Sequence, residues 1–169
     1  QPSSYTISTS VLSGLGTKTT QEGQIELMES APYEHLTRAL VDVTDYCNRF
    51  PSPSFHRIDL SKVTDNDDVT DAIEAILHSP QVVALGIILP TRNSPSEKTD
   101  ALMRAAKAVR KRLGKTDKQE ERQADLEQME AVPIKNTDMI QITYTSPDRT
   151  RVRELANALT AVYIWKNQA

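Results

Sequence analysis

The sequence is poor in the residues that most chemistry depends on. Cysteine occurs once, as Cys47, so no intramolecular disulfide can form and no multi-cysteine zinc or redox motif is possible. Aromatic residues make up 5% of the chain. That is too few for a platform on which single-stranded nucleic acid stacks, and it requires a core of mainly aliphatic side chains. Glycine occurs 5 times. Gly14 and Gly16 lack the spacing and the following helix of a dinucleotide fingerprint, and no glycine-rich phosphate loop is present. No serine sits in a glycine-flanked nucleophile elbow. No apolar run approaches the roughly 20 residues of a membrane-spanning helix, and no signal-peptide pattern stands at the start. Neither sign of charge dominates. With 20 basic and 23 acidic residues the net charge is −3, which predicts no global attraction to nucleic acid or to an anionic membrane.

The residues that do bear chemistry are scattered. His35, His56 and His78 include no pair at the i, i+4 spacing of a zinc helix. Asp65, Asp67, Asp68 and Asp71 invite a calcium reading, but Thr70 and Ile76 stand where an EF-hand loop needs its turn glycine and distal glutamate. Helix capping accounts for these acids. Cys47 falls on an apolar helical stripe, where a buried, inert thiol is the default. Expected, therefore, are no catalytic residues, no cofactor and no metal. An enzyme would need a cluster that only folding assembles, such as Asp65, Asp71 and His78.

What is present is patterning for one α/β (α+β) domain over residues 1–169, with a small mixed or antiparallel sheet packed with several helices. Tyr5–Leu15 alternates as a half-buried strand does, with Gly14 and Gly16 to end it, and Thr17–Gln24 reads as a loop. Pro32–Arg49 is a helix with Leu36, Leu40, Val43, Cys47 and Phe50 on one face, stopped by Pro51 and Pro53. Ile58 and Leu60 suggest a short strand. Asp65–Asp68 caps a helix from Asp67 to His78, whose inner face is Val69, Ile73, Ile76 and Leu77. Ser79-Pro80 is a further helix start, although Val82–Leu89 is apolar enough for a strand. Pro90–Pro95 is a break. Ser94 and Glu97 have capping-box spacing ahead of a helix with Leu102, Ala106, Val109 and Leu113 inside, and Gly114 ends it. The basic run Arg110-Lys111-Arg112 complements that helix's dipole. The stretch 115–135 is a charged connector, a solvated helix or a mobile segment with Leu126 and Met129 as its anchors. Met139–Thr145 is a strand with Ile140, Ile142 and Tyr144 on one face. Ser146-Pro147-Asp148 then starts a helix striped with Val152, Leu155, Ala156, Leu159, Val162 and Tyr163. No glycine or proline stops it through Trp165–Ala169, so we expect it to be truncated here. Beginning at Gln1 rather than methionine, the chain reads as a fragment or a processed product.

The run Thr137-Asp138-Met139-Ile140-Gln141-Ile142-Thr143-Tyr144-Thr145-Ser146-Pro147-Asp148, leading into Leu155-Ala156-Asn157-Ala158-Leu159 and Ala161-Val162-Tyr163-Ile164, resembles a recurring segment of bacterial polysaccharide chain-length determinants, or polysaccharide co-polymerases. Tyr5-Thr6-Ile7-Ser8-Thr9-Ser10-Val11-Leu12 resembles the strand that follows the first membrane span in that family. The resemblance covers the two ends of the chain; the middle matches only in being helical. It implies an extracytoplasmic, periplasmic domain at the bacterial inner membrane, with membrane spans outside the present sequence. It also implies assembly side by side into homo-oligomeric rings that control the length or export of a surface polysaccharide such as O-antigen, capsule or exopolysaccharide. The polymerase or export machinery, and the polysaccharide itself, would be partners, with no role for nucleic acid.

Such a role needs a rigid base with complementary flanks, not an active site. The charged helices around Arg104 to Arg122 and the last helix supply the residues we single out for an interface: Arg104, Arg112, Arg149, Arg153, Glu154 and Trp165. Each also has a plainer reading as part of a solvated helix face. The alternative function is a periplasmic adaptor or a module that binds glycan or protein without forming rings, which would present a concave surface with exposed polar and aromatic groups.

Overall fold

In the computed structural model, residues 4–13, 20–50, 57–89 and 94–167 are described. Strand β1 (Tyr5–Leu12) is followed by helices α1 (Gln21–Met28), α2 (Ala31–Arg49), α3 (Asn66–Leu77), α4 (Pro80–Ala84), α5 (Pro95–Arg112) and α6 (Asp117–Leu126), strands β2 (Gln128–Pro133) and β3 (Met139–Ser146), and helix α7 (Arg149–Lys166). The fold is α+β, with a three-stranded antiparallel sheet of order β1-β3-β2.

The alternation read in β3 sets the sheet's two faces. Ile140, Ile142 and Tyr144 pair with Val11, Thr9 and Ile7 of β1 and with Pro133, Ala131 and Met129 of β2. This row faces the helices; Ile140 and Ile142 are fully buried. The opposite face carries Thr6, Ser8 and Ser10 opposite Thr145, Thr143 and Gln141, with the hydroxyls of Ser8 and Thr143 3.0 Å apart. Helix α7 lies on the inner face of β1 and β3, α2 packs on α7, and α5 packs on α2, with α3 against both α5 and α7. The apolar stripe expected for α7 is buried at every position, Val152 through Tyr163. Helix α2 is enclosed on most sides and buries Arg38 and Asp42 along with its aliphatic residues.

Tertiary ties fix the ends of these layers. The Tyr163 hydroxyl donates to the Leu12 carbonyl at 3.1 Å. Asn167, at the C-cap of α7, donates to the Tyr163 carbonyl at 2.8 Å and to the Tyr33 hydroxyl at 3.3 Å, joining the end of α7 to the start of α2.

Several expectations are corrected. Residues 21–24 of the expected loop Thr17–Gln24 belong instead to α1: Thr20 Oγ1 accepts from the Gly23 amide at 3.1 Å, and Gln24 and Met28 are buried; residues 17–19 lie outside the described residues. The expected strand at Ile58 and Leu60 is a 3-10 turn, Leu60–Lys62, capped by Asp59. Of the two readings after Ser79, the helix holds: the Ser79 hydroxyl caps α4, and Gly86 turns the chain at φ +81°, a left-handed conformation that suits glycine. The cap of α7 is Asp148, not Ser146; Asp148 Oδ1 accepts from Thr150 and Arg151 amides at 2.9 and 3.1 Å, whereas Ser146 ends β3. Phe50, Leu113 and Leu126, expected inside, are 46%, 39% and 60% exposed. The stretch 115–135 holds α6, which starts in a capping box between Thr116 and Gln119, and then edge strand β2. Gly114, with φ +74°, ends α5 as expected. The expected strand stop at Gly14 and Gly16, the prolines Pro51 and Pro53, and most of the break at Pro90–Pro95 lie outside the described residues.

Candidate functional site

Helix α2 organises two polar regions, one on each flank. On the first, Glu34, Arg38 and Asp42 recur every four residues and so share a stripe. Arg151 of α7 links this stripe to Glu127, which precedes β2: its Nη1 donates to Asp42 Oδ1 at 2.6 Å and its Nε to Glu127 Oε2 at 2.7 Å. Arg38 Nη1 donates to the other Glu127 oxygen. Arg110 Nε of α5 donates to Asp42 Oδ2 at 2.6 Å and lies 3.4 Å from Glu120 of α6. Asp42, Glu127 and Arg151 are all buried. Burial alone would raise the Asp42 carboxyl, but the guanidiniums of Arg151 and Arg110 outweigh it and hold the group below its ordinary value. This chain of charges ties α2, α5, α6, α7 and the start of β2 to one another. Its members pair with one another, although Arg151 Nη2 is buried without a hydrogen-bond partner among the described residues.

The second flank is open. Val41, Thr44, Asp45 and Asn48 of α2 face Thr150, Arg153, Glu154 and Asn157 of α7 across a cleft of about 660 Å³, with Arg57–Lys62 as its third wall. Both helices contribute at i, i+3, i+4 and i+7, the spacing of one helical face. Asn48 pins the third wall: its Nδ2 donates to the Ile58 carbonyl at 3.1 Å, and its Oδ1 accepts from the Ile58 amide at 3.2 Å. Asp59 accepts from the Ser61 amide at 3.1 Å and shapes the turn beyond.

Inside the cleft Glu154 is hydrogen-bonded to Asp45. Burial, together with this neighbouring acid, pushes the Glu154 carboxyl up to about 8, so at neutral pH it keeps its proton and donates it to Asp45. The pair therefore offers a ligand one donor and several acceptors. The Thr44 Oγ1 is buried and has no hydrogen-bond partner among the described residues. Among those residues, too, no group of three or more His, Cys, Asp or Glu side chains converges as a metal set.

The residues singled out from sequence fall in different places. Arg104 and Arg112 are exposed on α5, and Arg149 is exposed at the start of α7. Arg153 and Glu154 come together in the cleft. Trp165, expected at an interface, is 7% exposed and belongs to this chain's own core, so its ring is not presented to a partner. His35 and His78 are exposed, and His56 lies outside the described residues. Asp65 and His78 cap opposite ends of α3, so Asp65, Asp71 and His78 do not converge. Cys47 is buried 3.3 Å from the Ser79 hydroxyl, and burial pushes its thiol up.

The chain matches no family model, no curated protein and no solved structure. Within it, the residues that sequence reasoning missed are Thr44, Asp45 and Asn157 in the cleft and Asp42, Glu127 and Arg151 in the charge chain. A signal for the cleft did exist: Thr44, Asp45 and Asn48 on α2 and Thr150, Arg153, Glu154 and Asn157 on α7 each fall on one helical face. Among the described residues no helix is long and apolar enough to cross a membrane.

Proposed function

We propose that this domain is a non-catalytic assembly unit of a bacterial polysaccharide chain-length determinant, working on the extracytoplasmic side of the inner membrane. One observation carries the reading. The two segments that bear the resemblance, Tyr5–Leu12 and the strand from Met139, are more than a hundred residues apart, yet they pair side by side in an eight-residue antiparallel register. Helix α7, the third resembling segment, packs across both of these strands. The resemblance thus falls on one continuous sheet-and-helix base, with α1 to α6 inserted between its parts.

The surface suits head-to-tail contact between copies. Exposed acids gather on and just after α1, at Glu22, Glu26 and Glu29, and exposed bases on α5, at Arg104, Lys107, Lys111 and Arg112. Apposing unlike surfaces in a heterologous contact closes rings when the rotation allows, and charge complementarity fixes the register. The polymerase or export machinery and homologous copies are the partners this reading assigns.

The test has two parts. Sedimentation of this chain across a concentration series, and of the full-length protein in detergent, is expected to give a discrete higher oligomer for the latter. Loss of the gene is expected to change the length distribution of a surface polysaccharide. A full-length protein that stays monomeric and leaves polysaccharide length unchanged would overturn the proposal. The second reading, a binding module, is favoured by the cleft between α2 and α7.

A further inference from the structure

The cleft contains groups that the fold leaves unused. The Thr44 hydroxyl is buried without a hydrogen-bond partner among the described residues, although an unmet buried hydroxyl costs stability. Arg57 and Arg153 border the same space, and neither makes an ion pair among the described residues. Asp45 and Glu154 are hydrogen-bonded to each other and both line the cleft. Asn157 completes the rim from α7, and Val41 and Leu60 contribute aliphatic surface.

We propose that this cleft binds a polyhydroxylated carboxylate: a uronic acid, either free or as a unit of an acidic glycan. Each group has a counterpart in such a ligand. The guanidinium forks of Arg57 and Arg153 match a carboxylate. The Asp45–Glu154 pair, Asn157 and Thr44 both donate to and accept from vicinal hydroxyls. The aliphatic surface takes the C–H face of a sugar ring. The volume of about 660 Å³ falls within the range of small-molecule sites. Among the described residues no aromatic side chain lines the cleft, which disfavours a nucleobase, and two guanidiniums beside a protonated Glu154 disfavour a metal cation.

The inference deepens the reading above by giving a polysaccharide-handling domain a place to hold its glycan, but the site rests on its own geometry. The experiment is an amide NMR titration of the chain with D-glucuronate, with a hyaluronan tetrasaccharide and with D-glucose. Glucuronate or the tetrasaccharide is expected to shift the amides of Thr44, Asp45, Glu154 and Asn157, with glucose about tenfold weaker. Tighter binding of the tetrasaccharide assigns the site to glycan chains; equal or tighter binding of glucuronate assigns it to the free sugar acid. Arg153→Gln, at an exposed position, should erase the preference for the carboxylate while leaving the spectrum folded, and Thr44→Val should weaken all three ligands. No shift in the cleft with any of them, or equal response to glucose and glucuronate, would overturn the proposal. Binding by this chain beside a full-length protein that stays monomeric and leaves polysaccharide length unchanged would sink the assembly reading alone, and an oligomer that ignores all three sugars would sink this one alone.

Discussion

Arg151 is the residue on which the interior turns. It spans Asp42 and Glu127, both buried, with one nitrogen on each. Removing one partner of a buried ion pair strands the others without compensation, at a cost of about 3–5 kcal/mol. Arg151→Ala is therefore expected to lower unfolding free energy by about that much in urea titration, and a loss under about 1 kcal/mol would show the charges to be solvated after all. Two acids also make stability depend on pH in opposite senses. Asp42 is held below its ordinary value, so its contribution is present above the ordinary carboxylate range and is lost as acid carries the pH down through its folded value. Glu154 is raised from 4.5 to about 8, so its contribution is full below 4.5 and is lost as pH rises through about 8. The charged groups around it are Asp45, Asp148 and Arg151, with Arg153 beside it on α7 and Arg57, Asp59 and Lys62 on the third wall of the cleft. Glu154→Gln should flatten the decline of melting temperature between those two values and leave it more stable than the parent above pH 8. An unchanged pH profile would remove the shared proton.

At the scale of elements, caps and strand position decide what is sensitive. Asp148 accepts from two amides at the start of α7. Asp148→Ala is expected to cost about 1–2 kcal/mol, and thermal melts of Asp148→Ala beside Pro147→Ala check that the loss belongs to the cap. In the sheet, β3 is central and its Ile142 is fully buried between Thr9 and Ala131. Ile142→Ala is expected to lose about 2–5 kcal/mol. Val132→Ala, on the outer face of edge strand β2, should lose less than about 1 kcal/mol. Equal losses would mean that the outer face is covered.

For the whole molecule, the proposed ring depends on unlike charges meeting across copies. Exposed charge pairs are screened over a Debye length of about 8 Å at physiological salt. Association of the full-length protein is therefore expected to weaken as salt rises. Arg104→Glu together with Lys107→Glu should shift sedimentation toward the monomer without moving the melting temperature. Assembly that strengthens with salt would point to an apolar contact, for which Val83 and Ile88 are among the exposed side chains.

The sequence by itself determined the strands β1 and β3 and the helices α2, α3, α5 and α7. Each carries its signal locally, as alternation or a stripe that one buried face imposes, and most are bounded by a capping residue, a proline or Gly114. It did not determine α1, where the stripe is too polar to stand out and Gln24 is buried as firmly as Met28. Nor did it determine β2, whose six residues follow a charged run and become a strand only because β3 offers a free edge. The carboxylates and guanidiniums that matter most, from Asp42 to Arg151 and from Asp45 to Glu154, lie over a hundred residues apart. In the sequence each reads as a solvated charge on its own helix. Only the packing of α7 against α2 takes them out of water, and burial is what turns ordinary charges into an ion-paired interior on one flank and a proton-sharing cleft on the other.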